Sequence, residues 1–269
     1  MPDLPAHPVT GKNIVVTGAG GISSALVQEC VRHGARVHVI AVDEKQVQEL
    51  GSLGSGVTFS VADLRSDSDT LSAFDEAEAL LSHIDGLVAV AGGSGRNFGD
   101  GPIDSLSTEA LLKTTELNLV TAGNSLREAI VRHLRHKGHG ARLNAVLIGS
   151  VLAHFPAGAL FGTHAYAATK AALEGLARST AGYYANHGVS VNVIAPGLAR
   201  TPMAARAQAD AKISEYARRR QPLSSDGFID PAEIASACLW LLGSQSVTGQ
   251  IIAVDGGWSV FGGETTDSE

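Results

Sequence analysis

Cysteine is scarce in this sequence. The 269 residues hold two, Cys30 and Cys238, too few for a disulfide framework and without metal-ligand spacing. A reduced, cytoplasmic protein without a metal site is expected. An excess of positive charge is missing too: 20 basic side chains stand against 27 acidic ones, for a net charge of −7, which sets nucleic acid aside as a partner. Met1 to Lys12 has no apolar core, so no secretion signal is expected. Between Leu143 and Thr169 there is no Asp, Glu, Lys or Arg. A membrane span would not tolerate Asn144, Ser150, His154, Pro156 and His164 in that stretch. A buried strand followed by an uncharged pocket wall accounts for it, and no membrane contact is expected.

What is present is core material. Apolar residues make up 44% of the chain, with 31 glycines, which excludes a disordered or fibrous protein. Short apolar runs fall at Asn13–Thr17, Arg36–Val42, Val57–Val61, Gly86–Ala91, Arg142–Ile148, Val189–Ile194 and Gln250–Val254. Helix-like stretches alternate with them, at Ile22–His33, Ser68–His83, Thr108–His136, His164–Asn186 and Pro231–Leu242. The alternation predicts an α/β fold: a Rossmann-like, doubly wound parallel sheet of about seven strands with helices on both faces. A single domain over residues 1–269 is expected, with a helical flap at 198–227 and a frayed tail at 262–269.

Two patterns carry chemistry. The first strand runs into Gly18-Ala19-Gly20-Gly21-Ile22-Ser23 and then a helix. Glycines there let the backbone approach a pyrophosphate, and the helix N-terminus offers free N–H groups to it. The second is Tyr166 and Lys170, four apart on one helical face. A tyrosine of ordinary pKa near ~10 is a poor base at neutral pH, and a neighbouring ammonium favours its phenolate. Asp43, just past the second strand, suits a ribose 2′-hydroxyl acceptor; it equally suits an N-cap for a helix beginning near Glu44, and the roles are compatible.

These residues resemble the short-chain dehydrogenases/reductases. The family's glycine motif, T-G-x-x-x-G-x-G, is here one residue shorter, with Ser23 at the last glycine. Ala91-Gly92 remains of its N-N-A-G, both asparagines being lost. Pro196-Gly197 with Thr201-Pro202, and Val254-Asp255-Gly256-Gly257, match its later segments. The resemblance implies a catalytic tetrad of Asn118, Ser150, Tyr166 and Lys170. Tyr166 would be the acid/base, Ser150 would bond the substrate oxygen, Lys170 would bind the nicotinamide ribose and lower the tyrosine pKa, and Asn118 would position a water. It also implies a dinucleotide held by Gly18, Gly20, Gly21, Ile22, Ser23, Asp43, Asp63, Leu64, Ala91, Gly92, Tyr166, Lys170, Pro196, Gly197 and Thr201, with Asp63 accepting from the adenine amino group.

The expected activity is oxidoreduction of a small-molecule secondary alcohol or ketone with NAD, NADP being the lesser option. The alternative is a catalytically silent dinucleotide-binding protein with a regulatory or assembly role. The Ser150-to-Tyr166 interval is longer than is common in the family and should reshape the substrate wall, where His154, Phe155, Phe161 and His164 fall. The histidines are expected as wall residues rather than catalysts. Arg96 is either a solvated loop residue or a partner for an anionic substrate group. Apolar positions at Leu111, Leu119, Leu126, Ile130 and Leu134, beyond what one sheet face can cover, point with the family's habit to a homotetramer, a dimer being the fallback.

Overall fold

The computed structural model describes residues 7–136 and 141–261. Seven parallel strands form one sheet in the order β3-β2-β1-β4-β5-β6-β7. They are β1 Asn13–Thr17, β2 Arg36–Ala41, β3 Val57–Val61, β4 Gly86–Ala89, β5 Leu143–Ile148, β6 Val189–Pro196 and β7 Ile251–Val254. The strands alternate between faces as the pleat requires. Ile14, Val16, Val88 and Val146 enter one core cluster; Val15, Leu87, Ala89 and Leu147 enter the other. Both faces are covered, which is why these runs are apolar at every position rather than at every second one.

Helices α1 (Gly21–Arg32) and α9 (Pro231–Gly243) lie together on the first face, with Cys30 and Cys238 buried in its core. Helices α3 (Asp67–Leu81), α5 (Thr121–Arg135) and α6 (His164–Tyr184) cover the second. A short α2 (Glu44–Gly51) connects β2 to β3; Asp43 caps it by accepting the Gln46 amide at 2.9 Å. The flap expected at 198–227 contains two helices, α7 (Ala205–Ala209) and α8 (Ala211–Arg220). The expected frayed tail at 262–269 lies outside the described residues.

One helix departs from its expected form. Thr108–His136 is not continuous: α4 (Thr108–Thr115) passes through a widened π-helical turn, Glu116–Val120, into α5. Asn118 is the cause. Its side-chain amide donates to the Thr114 carbonyl at 3.0 Å, occupying the acceptor that an ordinary turn would give to backbone. The apolar surplus on this segment also shrinks. Leu126 and Ile130 are buried in the core and Leu119 and Leu134 pack against it, leaving Leu111, with Leu112 beside it, exposed.

The strand order reverses between β1 and β4, and the sheet's carboxyl edge opens there. In open α/β sheets this is where a ligand site forms. No helix among the described residues is long and apolar enough to cross a membrane.

Candidate active site

One cavity of about 910 Å³ runs along that edge. Every residue expected to hold a dinucleotide borders it. Gly18 leaves β1 with φ +80°, and a Cβ there would come within 3.0 Å of the Ala91 amide nitrogen, so glycine is required twice over. Gly21 is pressed by Thr201, whose methyl carbon would lie 3.0 Å from an added Cβ. With Gly20, Ile22 and Ser23 these residues form the turn into α1, a helix whose N-terminus has no side-chain cap. Ser23 is fully buried, and its hydroxyl has no hydrogen-bond partner among the described residues. An unpaired hydroxyl and uncapped helix amides facing one cavity suit an oxyanion such as a pyrophosphate.

One end of the cavity, where the adenosine of a dinucleotide is expected, is bounded by Asp43, Asp63, Leu64 and Arg65. Asp63, expected as an acceptor for adenine, is held by Arg65, whose Nε and Nη2 reach its two oxygens at 2.9 and 2.7 Å. The guanidinium beside it keeps its carboxyl below the usual carboxylate range. Ala91 and Gly92 border the cavity from the loop after β4; Pro196, Gly197 and Thr201 border it from the segment after β6.

At the other end Ser150, Tyr166 and Lys170 share one wall. Ser150 follows β5 after one residue, Gly149, and its hydroxyl acts on the Tyr166 phenol to favour its ionised form. It also accepts the Leu152 amide at 3.2 Å. Lys170, one helical turn beyond Tyr166, is buried and donates to the Ile148 carbonyl at 2.8 Å; its Nζ lies 5.5 Å from the centre of the tyrosine ring. Burial lowers the lysine to about 8. Burial also raises the tyrosine above its ordinary value, with the Ser150 hydroxyl opposing. The expected lowering of the Tyr166 pKa by Lys170 is therefore not what this geometry gives. Desolvation disfavours both charged forms, and the ammonium is turned to a backbone carbonyl.

Asn118 does not border the cavity. It is fully buried behind the loop after β4, where Oδ1 accepts the Gly93 amide at 3.1 Å and Nδ2 donates to the Gly93 carbonyl at 2.9 Å. A Cβ on Gly92 would sit 2.7 Å from Asn118 Oδ1 and 3.6 Å from Lys170 Nζ. The asparagine thus braces the loop that Lys170 approaches.

The substrate wall differs most from expectation. Arg96 and Phe161 border the cavity; His154, Phe155 and His164 do not. His154 turns away to pair with Glu174, a buried carboxylate on α6. Phe155 is partly exposed and contributes its carbonyl to Trp258 Nε1 at 3.2 Å. His164 opens α6 facing solvent. The longer interval folds as two 3₁₀ turns, Val151–Ala153 and Gly158–Phe161, which bring Leu152 and Phe161 inward instead. Trp258, not singled out from sequence, packs edge-on against Phe161 and completes this wall; its position just after Val254-Asp255-Gly256-Gly257 was the available signal. Asp100 was also missed. Its two oxygens accept the Ala165 and Tyr166 amides at 3.0 and 2.9 Å, fixing the start of α6 and so the tyrosine it carries. The two partners are 65 and 66 residues away, and no local pattern could have paired them.

A family model described as enoyl-(acyl carrier protein) reductase matches residues 16–259. The 2,5-dichloro-2,5-cyclohexadiene-1,4-diol dehydrogenase of Sphingobium indicum is 28% identical over 258 residues, covering 94% of this chain and 99% of that protein. The cis-4-hydroxycyclohexanecarboxylate dehydrogenase of Sinomonas cyclohexanicum is 32% identical over 252 residues, covering 91% and 95%. The structure of a short-chain type dehydrogenase/reductase from Mycobacterium ulcerans superposes with a TM-score of 0.83 at 30% identity, covering 94% of this chain and 92% of that one. With the sheet order, the cavity and these matches together, the chain belongs to the short-chain dehydrogenase/reductase family.

Proposed function

We propose that the protein interconverts a secondary alcohol and a ketone by hydride transfer, using NAD(H) in preference to NADP(H). The carrying observation is the convergence of Ser150, Tyr166 and Lys170 on one wall of the cavity that the glycine turn opens at its other end. The Ser150 and Tyr166 hydroxyls act on one another across that wall, so a substrate oxygen between them would be polarised by both. Tyr166 then gives or takes the proton of that oxygen. Lys170 binds the cofactor's ribose, and Asn118 fixes the loop beneath it. A bound nicotinamide supplies the hydride donor or acceptor. The Gly18–Ser23 turn would hold its pyrophosphate and Asp43 the ribose hydroxyl.

The NAD preference rests on charge. The two acids at the adenosine end are Asp43 and Asp63, and the cation there, Arg65, is already bound by Asp63 in two bonds. A 2′-phosphate would meet Asp43 without a free counter-charge. The catalytically silent alternative has no support from the relatives described above, each named for a dehydrogenase activity. A cytoplasmic homotetramer, or failing that a dimer, completes the proposal, with Leu111 and Leu112 as the apolar residues left on α4.

The test is NADH absorbance with diverse secondary alcohols and ketones, both cofactors offered. Turnover that falls at least ~10²-fold in Tyr166→Phe, the usual scale of general acid–base catalysis, supports the proposal. Full turnover by that variant on a confirmed substrate refutes it.

A further inference from the structure

The substrate end of the cavity carries charge that the proposed hydride chemistry does not use. Arg96 stands on the 3₁₀ turn Arg96–Phe98 after β4, and Arg206 on α7 of the flap; both border the cavity that Ser150 and Tyr166 border. Neither is in an ion pair among the described residues. Arg206 donates one bond to the Leu160 carbonyl at 3.1 Å, and Arg96 has no hydrogen bond among the described residues.

The nearby acids form no ion pair with either guanidinium among the described residues, although the Asp100 charge reaches Arg96. Asp100 spends both oxygens on the Ala165 and Tyr166 amides. Asp210, at the end of α7, accepts the Lys212 and Ile213 amides at the start of α8. Asp43 and Asp63, the acids that border the cavity, belong to its adenosine end. Two guanidiniums of one sign sharing a cavity repel each other, and an anion between them removes that cost. Burial first, and then the charge of Arg206, hold Arg96 below the usual arginine value, with Asp100 opposing. The same cavity has an apolar wall of Leu152, Phe161 and Trp258, which pack together.

We infer that the substrate carries an oxyanion: an alcohol or ketone with an apolar body, its reacting carbon at Tyr166 and Ser150 and its anionic end held between Arg96 and Arg206. The inference rests on the oxidoreductase reading for the identity of the reacting end. The planar guanidinium fork suits a carboxylate or a phosphate ester, and these are the two sources to separate.

The experiment compares matched pairs of ketones with NADH. One pair is 4-oxocyclohexanecarboxylate against its methyl ester; the other is 4-oxopentyl phosphate against 5-hydroxypentan-2-one. The anionic member of at least one pair is expected to show at least a tenfold higher kcat/KM. That ratio is expected to fall at least tenfold in Arg96→Gln and in Arg206→Gln. Arg218→Gln, whose guanidinium pairs with Glu215 on the exposed side of α8 away from the cavity, removes the same charge and is expected to leave the ratio in place. A ratio near one in both pairs, or a ratio indifferent to both arginines, overturns the inference. So does a tenfold loss of NADH affinity in Arg206→Gln with the ratio intact, which would assign that guanidinium to the dinucleotide's phosphates.

Turnover of the neutral ketones alone would sustain the oxidoreductase reading and sink the oxyanion site. Should no ketone react with either cofactor, the oxidoreductase reading fails by itself, and calorimetric titration of the unmodified protein with 4-oxocyclohexanecarboxylate and with 4-oxopentyl phosphate decides the site. Binding of either that is lost in both arginine variants supports it; absence of binding overturns it.

Discussion

Lys170 is the group whose burial has the most measurable consequence. Its ammonium lies inside the protein with the Ile148 carbonyl as its hydrogen-bond acceptor, and its pKa falls from 10.5 to about 8. A base whose folded pKa lies below its unfolded one binds fewer protons folded than unfolded between the two values. Stability therefore rises with pH through that window. Below pH 8 both states are charged at this site and the cost of burying the ammonium is felt in full; above about 10.5 neither is charged and the cost is gone. At about 1.4 kcal/mol per pKa unit, the recovery between pH 8 and 10 is about 2 kcal/mol. Tyr166 moves the opposite way, upward by burial, and opposes this gain only near and above its unfolded value of 10.0.

The assay is urea unfolding at fixed temperature from pH 7 to 10, comparing the protein with Lys170→Met. The methionine keeps the stem's volume and removes the titration, and the loss of the bond to Ile148 shifts all points by a constant. The stability of the unmodified protein relative to the variant is expected to be level from pH 7 to 8 and then to climb by about 2 kcal/mol towards pH 10. A difference that stays flat over the whole range would show that the ammonium is solvated, and the account of the Tyr166–Lys170 pair would fall with it.

Other outcomes follow from the same geometry. Ser23→Gly restores the glycine usual in the family but deletes the buried, unpaired hydroxyl beside the pyrophosphate end; NADH is expected to bind several-fold more weakly by fluorescence titration, and unchanged affinity would refute that use of the hydroxyl. Asp43→Ala is expected to narrow the preference for NADH over NADPH, read as a ratio of dissociation constants. It should also cost about 1 kcal/mol of stability through loss of the α2 cap. A light-scattering mass of a single 27.7 kDa chain at micromolar concentration would refute the proposed assembly.

The strands were legible because a sheet covered on both faces demands apolar residues at successive positions, which few other elements do over so short a run. Their ends were less so. Gly86–Ala91 stops as a strand at Ala89, because the Val90 and Ala91 amides turn to the Thr17 carbonyl and hydroxyl to shape the cavity edge. Of the cofactor end, the glycine turn and Asp43 could be read locally, since a strand, its turn and the next helix are contiguous. The Asp63–Arg65 pairing is just as local, two residues apart, yet nothing in the pattern says whether an aspartate will be met by its neighbour or by a ligand. The π-helical turn at Asn118 is the converse. Its periodicity is that of a helix on either side, and the asparagine side chain that widens it is held by a loop 25 residues away, through both the amide and the carbonyl of Gly93.

The substrate wall was illegible for a different physical reason. Its composition is local but its facing is not. His154 and His164 lie within the uncharged stretch that the sequence marks as a pocket wall, and titratable side chains there draw attention. Their orientation is decided by partners elsewhere. Glu174, buried on α6 with Oε2 at 2.5 Å from His154 Nε2, offers a hydrogen-bond partner that the imidazole meets by turning away from the cavity. A buried carboxylate left without that partner would cost several kcal/mol, more than any solvent contact the ring gives up. Once the ring has turned, the space it leaves is closed by apolar groups from three separate segments: Leu152 and Phe161 from the inserted turns, and Trp258 from beyond the last strand. Charge at this end then comes from Arg96 and Arg206, held by a loop and by a flap rather than by the sheet. The sheet and α6 hold Ser150, Tyr166 and Lys170, while the two arginines stand on a loop and a flap outside the sheet. A wall built this way can change its ligand without disturbing the strands beneath it, so the arginine pair, not the tetrad, is where specificity should be sought first.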